Sequence, residues 1–162
     1  MGIERLDAAR FGFDSRCFVC DVENPRGLQV PFFHDTDADL VFAEFTLPAE
    51  FSGAPTLVHG GATLALIDEG MSWATIAISE RFAFTKETSA RFEWPIRLGR
   101  AYRLEVRVTG EDASRIETTA VVLDTKARAC VTATAVMAVL DTGQAIDATG
   151  VEVADEHRKY VR

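Results

Sequence analysis

The stretch that most constrains this chain begins His59-Gly60-Gly61 and continues through Leu64, Leu66, Ile67, Met71, Trp73, Ile76 and Ile78. From about Gly60 to Ser79 the residues are apolar nearly all round, too long for a strand and without strand alternation, so the run reads as a helix. A helix with no polar face must be buried on most sides. Yet Asp68 and Glu69 sit at its centre, and that pair argues against a membrane span.

The rest of the chain supplies what such a helix needs. Leu28 to His34 and Leu40 to Leu47 read as strands ahead of it, with a loop from Pro48 to Pro55. Four more follow. Ala83 to Trp94 carries Ala90, Phe92 and Trp94 on one face, and Ala101 to Thr109 alternates Tyr102, Leu104, Val106 and Val108 with polar residues. Ser114 to Asp124 and Ala129 to Leu140 complete the set. Two strands, one greasy helix and four antiparallel strands predict an α+β fold: a curved antiparallel sheet wrapped around one long central helix that it encloses. A single domain over residues 1–141 is expected, with an N-terminal extension that begins in a short helix. Residues 142–162 are expected to be a loose polar tail.

Charge and cysteine content narrow the function. The formal net charge of −8 repels phosphate backbones, which excludes nucleic acid as the expected partner. The first residues contain no apolar segment of the secretory kind, so a cytoplasmic protein is expected. Three cysteines do not make a disulfide framework. Cys17 and Cys20 have metal-ligand spacing, but no second Cys pair accompanies them. The expectation is therefore two packed thiols, with no metal and no cofactor.

Gly60 and Gly61 remove two Cβ atoms at the helix start, where first-turn N–H groups and the helix dipole can polarise a carbonyl. Asp68 lies about 12 Å further along the axis and, relative to His59, about half a turn round. Asp68 has a structural reading as well, in which Ser72 and Thr75 or a water satisfy it. If both ends are catalytic, they cannot meet around one carbon within one chain, and a symmetric dimer sharing its sites follows. Glu69, some 100° from Asp68, is expected to reach solvent or a second subunit.

His59-Gly60-Gly61 with Asp68 nine residues after the histidine, in this element order, resembles the hotdog-fold acyl-CoA thioesterases of the phenylacetate-pathway type. The upstream Cys17-to-Leu28 segment and the downstream strand ending in Leu98-Gly99 are similar too, so the likeness covers roughly residues 15–140. The resemblance implies the hotdog fold, homodimers joined through a continuous sheet or homotetramers, and hydrolysis of an acyl-CoA thioester. By the same resemblance Asp68 is the general base or nucleophile, and the Gly60 N–H polarises the carbonyl. His59 holds that loop, Thr85 positions the water, and Gly61 and Glu69 stand on the substrate side. One departure is clear: many relatives have Asn six residues before the histidine, where this chain has Gly53. Arg91, Arg97 and Arg100 are candidates for the coenzyme A phosphates. Two competing functions remain at this level, a hotdog dehydratase or hydratase and a non-catalytic acyl or aromatic binder. The first lacks its motif, since Asn24-Pro25 is followed by Arg26-Gly27; the second has no need of Asp68.

Overall fold

The computed structural model describes residues 2–11, 15–150 and 152. Nine strands and two α-helices are present among them. Strands β1 (Ile3–Leu6), β2 (Phe32–Asp35) and β3 (Leu40–Phe45) precede a short hairpin, β4 (Ser52–Ala54) and β5 (Leu57–Val58). Helix α1 spans Gly60–Ala77. Then come β6 (Ala83–Phe92), β7 (Tyr102–Glu111), β8 (Arg115–Asp124), β9 (Ala129–Val139) and helix α2 (Thr142–Thr149). Seven strands form one antiparallel sheet in the order β1-β2-β3-β7-β8-β9-β6.

The long helix on a curved antiparallel sheet is the expected architecture. Leu66, Ile67, Met71 and Ala74 of α1 are buried with Leu104, Val106, Ile116, Val122, Val131 and Met137 from the inner face of the sheet. Gly70 sets how closely the two layers approach. A Cβ there would lie 2.9 Å from Val106 Cγ2, too close to be accommodated without a shift, and 3.2 Å from Phe32 Cε1, a tight contact.

The structure corrects the sequence reading in four places. The sheet covers one side of α1 rather than enclosing it: Gly61, Leu64, Ala65, Asp68 and Ser72 form a stripe less buried than the opposite face. The sheet has seven strands, not six, and β4–β5 stands apart as a small hairpin where a loop was expected. The N-terminal segment begins with a strand, Ile3–Leu6, paired with β2, and its short helix is a 3-10 helix at Ala8–Phe11, opened where Asp7 Oδ1 accepts from the Ala9 N–H at 2.8 Å. Finally, the tail begins as helix α2. Asp141 and Gln144 form a capping box, and Gly150 ends the helix in the left-handed region at φ 69°. Residues 151 and 153–162 of that tail lie outside the described residues.

Strand β6 is at the end of the sheet, and its outer edge has no neighbour among the described residues. It also carries a bulge between Thr85 and Glu87. Thr85, Thr88, Ala90 and Phe92 lie opposite Met137, Ala135, Ala133 and Val131, the buried residues of β9. All four therefore face inward, although Thr85 and Phe92 are an odd number of residues apart. The extra residue of the bulge restores the phase.

Candidate active site

The β4–β5 hairpin delivers His59 to the head of α1. The His59 N–H donates to Phe51 O at 2.8 Å, and the Val58 N–H donates to Ile96 O at 2.9 Å. His59 is the N-cap, with φ −59° and ψ 131°, and its Nδ1 accepts from the Gly61 N–H at 2.9 Å. An accepting Nδ1 carries no proton, so the neutral ring holds its proton on Nε2. The Ala62 and Thr63 amides donate to His59 O. The first turn is thus largely satisfied, contrary to the expectation of several free N–H groups. Gly61 is committed to the cap, and the exposed Gly60 N–H is the one left without an acceptor among the described residues. A Cβ on Gly60 would meet only Phe92 Cζ, at 4.0 Å. Phe92 of β6 therefore lies beside Gly60 at the head of the helix.

Two turns along, Asp68 is half-buried on the open stripe of α1. Thr85 Oγ1 donates to Asp68 Oδ1. Of the two helix neighbours considered for Asp68, Thr75 is engaged elsewhere: its Oγ1 donates to Ser72 O at 2.8 Å within the helix. The carboxylate is therefore held by β6, and the bulge beside Thr85 aims the hydroxyl at it.

Glu69 turns to neither solvent nor a free face. It lies under the N-terminal segment, hydrogen-bonded with Cys17 at 3.3 Å between Sγ and Oε1. Burial foremost, with the Cys17 and Asp68 charges adding, pushes the Glu69 carboxyl up to about 7. Cys17 moves the other way, to about 5, first because Cys20 donates to it and then through the backbone N–H groups of Cys20 and Val19. Those amides lie 3.2 Å and 3.3 Å from its sulfur. Cys20 is pushed up by its contact with Cys17 and by burial. The two shifts run in opposite directions, the Cys17 thiol down and the Glu69 carboxyl up. Sequence spacing does not indicate this contact, which joins positions 52 residues apart.

A cavity of about 610 Å³ is lined by Arg97, Arg100, Lys126, Arg128, Trp94 and Asp124. The Arg128 guanidinium stacks over Trp94 at 4.4 Å and pairs with Asp124 at 3.0 Å. Arg97 bridges to Leu57 of β5, which puts this basic wall beside the hairpin that leads to Gly60. Arg91 is separate, exposed and near Glu93 at 3.6 Å. The sequence reading found Arg97 and Arg100 but missed Lys126 and Arg128, which a turn between β8 and β9 carries into the same cavity.

The thioesterase-like superfamily profile matches residues 55–157, well over half of the chain. The chain belongs to the thioesterase-like superfamily. Solved structures of similar fold include the thioesterase superfamily protein RHA08564, 24% identical with a TM-score of 0.67 over 72% of this chain. This chain spans 56% of the length of that protein. The E. coli PaaI protein from the phenylacetic acid degradation operon is 13% identical, with a TM-score of 0.63, over 70% of this chain and 80% of its own. The smu.793 protein of Streptococcus mutans, solved bound to acetyl CoA, is 18% identical with a TM-score of 0.59, over 62% and 81%. At these identities the likeness establishes the hotdog fold. No curated protein matches the chain. Among the described residues, no helix is long and apolar enough to cross a membrane.

Proposed function

We propose that this superfamily member hydrolyses an acyl-CoA thioester to the free acid and the CoA thiol. The observation that carries the reading is the Thr85–Asp68 pair on the same helix whose start presents the unengaged Gly60 N–H. The thioester carbonyl oxygen accepts from the Gly60 N–H, where the helix dipole favours the negative charge that develops. As general base, Asp68 takes a proton from water as the water oxygen attacks the carbonyl carbon; the C–S bond breaks, and the proton passes to the departing thiolate. As nucleophile, the Asp68 carboxylate attacks the carbon and expels the thiolate, leaving an acyl anhydride on Asp68; water then cleaves the anhydride to the free acid, and its proton ends on the thiolate. Thr85 holds the carboxylate in register. His59 keeps the loop rigid by capping Gly61, so Gly61 serves the site through its small size rather than its amide. The basic cavity beside the hairpin is matched to the CoA phosphates. The smu.793 relative was solved with acetyl CoA, and a Streptococcus pneumoniae thioesterase relative with coenzyme A, which supports this substrate class.

The reading requires a second subunit. Gly60 and Asp68 are separated by about 12 Å along one helix, so Asp68 of one chain works with Gly60 of another. The unpaired outer edge of β6, with Phe84, Phe92 and Trp94 all at least 43% exposed, supports a homodimer joined along that edge. Glu69 faces the N-terminal segment, which supports a structural place for it rather than contact with substrate. The test is release of free thiol from a panel of acyl-CoA esters by the wild type and Asp68→Asn. Turnover should fall by at least about two orders of magnitude in the variant, with the melting temperature held or raised. Near-wild-type turnover in Asp68→Asn would end this mechanism.

A further inference from the structure

The Cys17–Cys20–Glu69 cluster takes no part in the proposed hydrolysis, and its geometry calls for an explanation of its own. Cys17, Cys20 and Glu69 each present one donor atom, and the three atoms lie within 4.8 Å of one another. Two come from a tight turn of the N-terminal segment and the third from α1. Three half-buried acidic groups facing one another repel as soon as they ionise. Placing them together is favourable when a cation sits between them. We propose that Cys17, Cys20 and Glu69 form a zinc site that fastens the N-terminal segment to the central helix.

The donor chemistry favours Zn²⁺. Two thiolates and one carboxylate suit a borderline-soft ion, whereas Ca²⁺ and Mg²⁺ take oxygen ligands. Tetrahedral coordination at about 2.3 Å to sulfur and about 2.0–2.2 Å to oxygen puts the donors about 3.5 Å apart. Cys17 Sγ and Glu69 Oε1, at 3.3 Å, already have that spacing. The second shell is in place. The Val19 and Cys20 N–H groups, two and three residues beyond Cys17, both donate to its sulfur. They fix its direction and offset its charge, as outer partners of metal thiolates do. Among the described residues, the two thiols have room for a fourth ligand: Cys17 and Cys20 line a cavity of about 500 Å³ with Ser15, Asp21, Arg5 and Asp7. Water or a small ligand can complete the tetrahedron from there, and the cavity is also the path of entry. The missing second Cys pair is no obstacle, since Glu69 supplies the third ligand.

A site of this kind is a clamp. It ties residues 17–20 to α1 at the residue next to Asp68, and its loss should loosen the segment before it affects the sheet. The test uses the full chain, reduced and stripped with chelator, then titrated with Co²⁺ alone and with Zn²⁺ in competition. The expected result is about one metal per chain, with sulfur-to-cobalt charge-transfer absorption that Zn²⁺ abolishes. Zn²⁺ should raise the melting temperature in a concentration-dependent way. Glu69→Gln should keep the thiolate absorption while binding at least about 10-fold more weakly, and Cys17→Ser with Cys20→Ser should abolish it. The proposal is overturned if the reduced wild type takes up no Co²⁺ with thiolate absorption. Equal affinity in Glu69→Gln overturns it too, as does a Cys17–Cys20 disulfide in freshly purified protein without metal. Because the wild-type titration decides the main point, a variant that fails to fold does not spoil the test.

Discussion

Thr85 donates to Asp68 because β6 is not a regular strand. On a strand without irregularity Thr85 and Phe92 would face opposite sides of the sheet. The bulge between Thr85 and Glu87 brings both inward, Phe92 beside Gly60 and Thr85 onto the carboxylate of Asp68. One extra residue in an edge strand thus organises both ends of the helix face on which the proposed chemistry depends.

Thr85→Val removes the hydroxyl with little change of shape. A hydrogen bond to a charged group is worth about 1.5–3 kcal/mol, so the melting temperature should fall by several degrees, and hydrolysis should fall by about 10- to 100-fold at temperatures where the variant stays folded. Thr85→Ser keeps the hydroxyl and should recover most of the loss. Equal activity in the Val and Ser variants would remove Thr85 from the mechanism.

Gly53 explains a departure from the family pattern. Its φ is not positive, so the reason for glycine here is space rather than backbone freedom. A Cβ at this position would lie 2.9 Å from the Cα of His59 and 3.3 Å from its Cβ, and a backbone atom cannot swing aside. Gly53→Ala and Gly53→Asn should therefore both destabilise the chain by about 1–3 kcal/mol and displace the histidine cap. Thermal melts check the first effect and hydrolysis rates the second. Unchanged melting temperature with higher turnover in Gly53→Asn would show that the hairpin has room after all.

The thiols offer a prediction that depends on pH. Because the pKa of Cys17 is lowered to about 5, it is mostly thiolate above that pH, while Cys20 and Cys130 are shifted upward and stay protonated. In chelator-treated protein, iodoacetamide at pH 6 should label Cys17 first, as read by peptide mass mapping. Labelling of all three at equal rates, or of none until about pH 8, would contradict the hydrogen-bonded thiolate.

How much of this was legible in the sequence depends on the range of each contact. The apolar run of α1 and the alternation of β7, β8 and β9 are local patterns, and they located the helix and most strands to within a few residues. The cap at Asp141 and Gln144 and the stop at Gly150 were equally local, but the polar composition around them hid α2. Thr85 was singled out by family resemblance alone, since periodicity would have turned it away from Phe92. No pattern marks a bulge when one inserted residue reverses every side chain beyond it. The contact of Glu69 with Cys17 closes a loop of about fifty residues, and only the folded sheet brings the two together. Asp68 and Gly60 were read from spacing. The engagement of Gly61 by His59 was not, because it turns on one imidazole rotamer.

The sharpest test of the shared site uses Gly60→Pro. Gly60 is the first helical residue, the position that accepts proline most readily, and His59 at φ −59° and ψ 131° already has the extended conformation that a following proline requires. The substitution therefore deletes the Gly60 N–H with little strain, and the melting temperature should hold or rise. Turnover should fall by about 10²–10³-fold, the usual effect of losing an oxyanion donor. Asp68→Asn should lose turnover for the complementary reason. When the two variants are unfolded together and refolded, each mixed dimer contains one site with an intact Gly60 from one chain and an intact Asp68 from the other. Random pairing restores about one quarter of the wild-type sites. If Gly60 and Asp68 of the same chain formed the site, every site in every mixed dimer would carry one lesion, and no activity would return.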